Sequence, residues 1–226
     1  MADQEQNAVT AEERWDDIQN YFERNKKRVT TVATIVIVVI GGILGYFFWY
    51  LPGQEEEAEN SMYKAQMYFN LDSINLAMNG NAAFMGFQSI ADQYGMTKAG
   101  HLANYYLGIC YYDKKEYQKA IDCLEKFNAG DALVSPNAAG VMGDAEMQLN
   151  QPDKALEYYM NAVKRNDNNF TTPIYLKKAA MVCEIKGDYN QAADLYTRIK
   201  TEYHSSSDAQ DIDKYIYRAK AKAGTL

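Results

Sequence analysis

The chain has 226 residues and a formal net charge of −7, from 23 basic and 30 acidic side chains. Nucleic-acid binding depends on clustered Lys and Arg that neutralise phosphates, and the basic run here is confined to Arg24–Arg28, which argues against a nucleic-acid partner. Nineteen tyrosines beside 14 glycines and four prolines suit packed helices with aromatic contacts and argue against disorder. The three cysteines, Cys110, Cys123 and Cys183, are an odd count without close pairing, so they read as buried free thiols rather than a disulfide framework. A helical hairpin would also let Cys110 and Cys123 approach each other.

Residues 1–9 carry no pattern. Thr10-Ala11-Glu12-Glu13 follows as a capping box, in which the threonine and the third-following glutamate satisfy free N–H groups. Trp15, Ile18 and Phe22 then recur at helical spacing, with Asp16, Asp17 and Glu23 on other faces. Residues 1–28 are thus expected to be a tail with a short amphipathic helix, whose stripe suits either the membrane surface or a partner. Val29–Leu51 reads VTTVATIVIVVIGGILGYFFWYL and holds no charge. About 20 apolar residues at 1.5 Å each cross a hydrocarbon core of roughly 30 Å, so 29–51 is expected to be a transmembrane helix.

Arg24, Lys26, Lys27 and Arg28 abut the start of this span, and Glu55, Glu56, Glu57 and Glu59 follow its end. Basic residues beside a span are retained in the cytoplasm. The expectation is a single-pass inner-membrane protein with a cytoplasmic N-terminus and residues 52–226 in the periplasm. The apolar run exceeds the roughly 7–15 residues of a signal-peptide core, and it ends in Tyr46-Phe47-Phe48-Trp49-Tyr50, a composition suited to the interfacial belt. It therefore reads as an uncleaved anchor. Gly41 and Gly45 form a G-x-x-x-G, with Gly42 beside them, and nominate a face for contact with another membrane helix.

Beyond the span the sequence repeats. Leu107-Gly108, Tyr111, Ala120 and Leu124 match the offsets of the tetratricopeptide pattern, where small residues let two helices cross closely. The same frame returns at Met142-Gly143, Ala155, Tyr159 and Ala162, and again at Ala179-Ala180, Ala192, Tyr196 and Ile199. Repeats are predicted over about 101–134, 136–169 and 173–206, spaced near the expected period of roughly 34 residues. Gly187-Asp188 reads as a helix stop followed by an N-cap. Ser135-Pro136 and Thr172-Pro173 each read as a capping hydroxyl before a first-turn proline. A degenerate hairpin over about 55–97 precedes the three repeats, with a helix from Glu55 to about Met78 and a second containing Ala83, Phe87 and Ile90. Ile212, Tyr215, Ile216 and Ala219 mark a capping helix over 208–223. The predicted fold class is all-α, one transmembrane helix followed by a helical-hairpin solenoid.

No catalytic or metal-ligating pattern is present. His101 and His204 stand about a hundred residues apart without ligands at zinc spacing, and no nucleophile elbow, P-loop or dinucleotide fingerprint occurs. The chain reads as non-enzymatic, with no cofactor and no small-molecule substrate, and Glu55–Glu59 reads as a polar linker. In tetratricopeptide solenoids the first helix of each hairpin lines a concave groove. Those positions are Leu102, Tyr105, Ile109 and Tyr112; then Asn137, Gly140, Asp144 and Met147; then Ile174, Lys177, Met181 and Glu184. Lys177 alone offers a cation for a carboxylate clamp, so the Tyr-, Ile- and Met-rich surface instead suits apolar protein segments.

Ile18-Gln-Asn-Tyr-Phe22-Glu-Arg-Asn-Lys-Lys, entering a span that closes Gly45-Tyr-Phe-Phe-Trp49 ahead of an exported repeat domain, resembles the YfgM family of ancillary SecYEG translocon subunits. Gly86-Phe87, Tyr94 and Thr97-Lys98-Ala99-Gly100, ahead of Tyr106-Leu107-Gly108-Ile109, look like the version common in Bacteroidota. The resemblance implies contact with the translocon in the membrane and with periplasmic chaperones or exported proteins outside it. A scaffold of another cell-envelope or division complex is the alternative.

Overall fold

The computed structural model describes residues 15–16, 19–128 and 130–225. The chain divides into two units, one ending at Gly53 and one beginning at Gln54. In the first, residues 19–24 are helical, and Trp15 and Phe22 are exposed. Ile18 and the capping box at Thr10–Glu13 lie outside the described residues. Helix α1, Lys26–Gly45, runs from the basic cluster into the charge-free stretch, and none of its residues is buried. The hydroxyls of Thr30, Thr31 and Thr34 each donate to the carbonyl four residues back at 2.8 Å. Such internal satisfaction matters in hydrocarbon, where an unmatched polar group costs several kcal/mol. The helix then widens into a π-helical turn at Tyr46–Tyr50, within which Tyr46 stacks on Tyr50 at 5.5 Å. The apolar helix is long enough to cross a membrane.

Helix α2, Leu51–Asn70, begins at the end of the first unit and, in the second, buries Ala58, Met62 and Ala65. It does not continue to Met78 as its pattern predicts. Asp72 takes a left-handed conformation (φ 56°), and the Asp72 and Ser73 amides turn back to Phe69 and Tyr68 carbonyls at 3.0 and 2.9 Å. Helix α3, Ile74–Asn79, follows. A two-residue antiparallel stub then pairs β1 (Gly80–Asn81) with β2 (Phe84–Met85), ahead of helix α4, Phe87–Gln93. Backbone lies so close to Gly86 that a Cβ there would meet Gly80 N and Met78 O.

Three helical hairpins follow: α5 (Lys98–Asp113) with α6 (Tyr117–Lys126), α7 (Val134–Gln148) with α8 (Pro152–Arg165), and α9 (Thr172–Lys186) with α10 (Tyr189–Glu202). Each crosses where the sequence places small residues. Gly108 seats the Leu124 side chain and Gly143 seats the Tyr159 ring; Ala179, Ala180 and Ala192 are fully buried. After a 3-10 turn at Ser207–Ala209, helix α11 (Ile212–Ala223) buries Ile212, Ile216 and Ala219. One core runs from Ile121 to Ala219 and a second from Ala58 to Cys110. Together these make the tetratricopeptide-type solenoid that the periodicity predicts.

The turns depart from expectation in chemistry. Lys115 (φ 61°), Asn150 (φ 59°) and Gly187 (φ 81°) occupy one left-handed position in three successive hairpins. In each, the next amide returns to a carbonyl near the helix end at 2.8–2.9 Å, the Schellman closure. Asp72 makes the same turn, which sets the frame of the first hairpin. Asp188 caps α10 as predicted, accepting from Gln191 N at 3.2 Å. Ser135 instead faces Arg165, and Asp131 accepts from the Leu133 and Val134 amides at the start of α7. Ahead of α9, Asn168 accepts from the Phe170 and Thr171 amides at 2.8 Å.

The acidic stretch after the span is more than a linker. Glu55 accepts from the Lys98 and Ala99 amides at 2.7 and 2.9 Å, so its carboxylate sits on the positive end of α5. Thr97 caps the same helix through Gly100 N at 2.9 Å.

Candidate protein-binding groove

The groove positions come from α5, α7 and α9. Leu102, Tyr105, Tyr112 and Met147 are half-buried against the larger core, and Leu102 also packs on the smaller one. Ile109 is half-buried. Ile174 and Met181 stay exposed at 41% and 48%, and Ile185, one turn beyond Met181, reaches 67%. A cavity of about 310 Å³ lies there, lined by Met181, Glu184, Ile185, Arg218 and Lys222.

A polar seam links the three first-arm helices. Asn137 donates to the Tyr105 hydroxyl at 2.7 Å and accepts from the Tyr175 hydroxyl at 2.9 Å. Gly140 leaves the space that the Tyr175 ring fills. Asp144 accepts from the Tyr159 hydroxyl at 2.6 Å and from Lys178 at 2.6 and 2.8 Å. The Lys178 ammonium also lies 5.7 and 5.9 Å from the Tyr159 and Tyr175 ring centroids, within cation–π range. Burial raises the Tyr105 and Tyr112 hydroxyls above their ordinary range, and in Tyr112 the Asp144 charge adds to it. Burial first and Asp144 second push Tyr159 and Tyr175 further up, so these phenols act as neutral donors at physiological pH.

The remaining polar groove residues are also engaged. Lys177 donates to Asp208 at 2.8 Å and lies 5.3 Å from the Tyr215 ring. Glu184 accepts from the Tyr196 hydroxyl at 3.0 Å and from Arg218 at 2.6 Å. Tyr105, Asp144 and Lys177 therefore bind neighbouring helices, whereas the accessible apolar surface gathers on α9 at Ile174, Met181 and Ile185. Ile185 and Arg218 escape a reading based on repeat positions, because one lies past the groove register and the other on the capping helix. In the apolar helix α1, a Cβ added at Gly41, Gly42 or Gly45 would meet nothing within 4 Å.

Cys110, Cys123 and Cys183 are free thiols. Burial pushes the Cys110 thiol up to about 12, which keeps it protonated and unreactive at neutral pH. His101 Nδ1 lies 3.0 Å from the Lys126 carbonyl. Among the described residues no group of three or more His, Cys, Asp or Glu side chains is placed to hold a metal ion.

The tetratricopeptide repeat family model matches residues 102–129, which cover most of the α5–α6 hairpin and the three residues after it. No curated protein matches the chain. A crystal structure of a putative kinesin light chain with nearly identical TPR-like repeats, from Podosopora anserina, is 14% identical, covers 77% of this chain and 87% of that one, and superposes with a TM-score of 0.49. Tetratricopeptide repeats serve as protein–protein interaction scaffolds and are typically non-catalytic.

Proposed function

We propose that this protein is a non-enzymatic, membrane-anchored scaffold at the protein-export translocon. The observation that carries the reading is the joining of one apolar, membrane-length helix to a tetratricopeptide solenoid in a single chain. Four basic residues ahead of the helix and acidic residues after it favour a cytoplasmic N-terminus and a periplasmic solenoid. Gly41, Gly42 and Gly45 offer the close-approach face for a SecYEG helix. Ile174 and Met181, with Leu102, Ile109, Tyr112 and Met147 at the half-buried margin, offer apolar surface to an exported protein or a periplasmic chaperone.

The test is affinity purification of the full chain in mild detergent. Co-purification of SecY with periplasmic chaperones is the expected result. A different stable envelope or division complex, with both of these missing, overturns the reading. A Gly41→Leu/Gly45→Leu pair is expected to lose the translocon and keep the soluble partners. Ile174→Ser with Met181→Ser is expected to do the reverse.

A further inference from the structure

A second cleft, of about 550 Å³, opens between α6 and α8 over the C-terminal part of α7. Its lining includes Glu125, Glu146, Glu157 and Tyr158, with Lys154 and Lys164 also contributing. Glu146 is 4% exposed, and its Oε2 has no hydrogen-bond partner among the described residues. Lys154 Nζ stands 3.9 Å from Oε1, beyond hydrogen-bond reach. A buried carboxylate is costly unless donors surround it.

The fold itself does not require a carboxylate there. The equivalent position is Tyr111 in the preceding hairpin and Cys183 in the following one. Each is matched by the residue eight further on: Lys119 lies 5.5 Å from the Tyr111 ring, and the Cys183 thiol donates to Gln191 Oε1 at 3.4 Å. In the middle hairpin the same pair is Glu146 and Lys154, and it leaves one carboxylate oxygen unmatched.

We propose that this cleft receives an arginine side chain presented by a protein partner, with Glu146 as its floor. The lining carries three carboxylates against two ammonium groups, so a cation is favoured. An ammonium is already offered by Lys154 and does not satisfy Oε2. A guanidinium differs in carrying five donors in a fixed planar fork. It can serve the Glu146 carboxylate and a second one together and lay its face on the Tyr158 ring. Tyr158 is oriented by its own hydrogen bond to Glu125 at 2.9 Å. Burial first, then that bond and the surrounding Glu125, Glu146 and Glu157 charges, push its hydroxyl up to about 12. Apart from Glu146 on α7, the lining comes from the second-arm helices α6 and α8 and shares no residue with the groove, so the site stands or falls apart from the translocon reading.

Saturation-transfer NMR on the full chain in nanodiscs tests it, with acetyl-Gly-Arg-Gly-amide, its lysine and citrulline counterparts, and free L-arginine as probes. The arginine peptide is expected to bind, and the citrulline peptide, which lacks the charge, to bind roughly tenfold more weakly or not at all. Glu146→Gln is expected to weaken the arginine peptide by a similar factor at unchanged helicity. Equal binding of arginine and citrulline peptides, or an unaltered Glu146→Gln, overturns the site. Free L-arginine binding as tightly as the peptide overturns the protein source. Lys154→Met, at an exposed position, removes the competing cation and should tighten the arginine peptide a few-fold; no change, or weakening, also counts against the proposal.

Discussion

The first hairpin, Leu51–Gln93, and the three that follow close their leading helix in the same way and attach their second arm differently. Asp72, Lys115, Asn150 and Gly187 all take left-handed turns that fold the next amide back onto the helix end. Beyond that turn the later hairpins cross helix on helix, with Gly108 against Leu124 and Gly143 against Tyr159. The first hairpin instead breaks its second arm at the Gly80–Met85 stub, where Gly80 and Gly86 face backbone. Side-chain packing can relax around an intruding methyl, whereas paired backbone cannot. The contrast teaches that an added methyl is accommodated better at the helix crossings of the repeats than at the stub of the first hairpin.

Gly86→Ala should break the comparison most sharply. Its methyl would meet backbone on both sides, so a loss of about 3 kcal/mol or more is expected in thermal or urea unfolding. Gly143→Ala meets the Tyr159 ring first and should cost about 1–3 kcal/mol. Equal losses from the two would erase the distinction drawn here.

Alkali should act on the repeats first. Burial, reinforced by Asp144 or Glu184, raises Tyr159, Tyr175 and Tyr196 above the ordinary value of 10.0. The folded state keeps protons that the unfolded chain releases, so this stabilisation is complete below about pH 10 and is lost as pH rises through the folded values. The phenolate absorbance lost on replacing Tyr159, Tyr175 or Tyr196 by Phe should therefore appear together with helix loss, whereas exposed tyrosines such as Tyr63 and Tyr217 titrate before it; phenolate formation at the three buried sites without unfolding would contradict the burial.

Glu55→Gln keeps a shape able to reach the α5 amides but removes the charge from its positive end. A loss of about 0.5–1 kcal/mol is expected, seen as faster hydrogen exchange at residues 98–100 and not at the α9 start. Similar in size but opposite in sign, Lys115→Gly should stabilise by roughly 0.5–1 kcal/mol, because glycine adopts the left-handed turn without a Cβ penalty. Gly187→Ala should do the opposite, and a matching response at both positions would contradict the shared turn.

Much of the helical frame is legible in the sequence. Leu107, Gly108, Ala120 and Leu124 lie within one hairpin, and their size pattern reports the crossing directly. The helix stop at Lys115 is not legible, because lysine does not signal a left-handed turn; asparagine signals one weakly at Asn150, and glycine does so at Gly187 and Gly224. The groove is legible in part. Repeat position identifies the right helices, and Ile174 and Met181 are indeed exposed. It does not reveal that Tyr105, Asp144 and Lys177 already have partners, since those lie 31 to 34 residues away along the chain in neighbouring helices.

Composition and periodicity alone establish a charge-free helix of membrane length, a hairpin period and the small residues where helices cross. These are patterns along one dimension, set by hydrophobic length and by side-chain volume at fixed offsets. Folding in three dimensions assigned the charged groups. Glu55 caps a helix 43 residues away, Asp144 is matched by Lys178, and Glu146 keeps an unmatched oxygen beside a cleft. Whether a carboxylate is satisfied depends on which donors lie within about 3 Å of it, and that distance is a property of packing between helices.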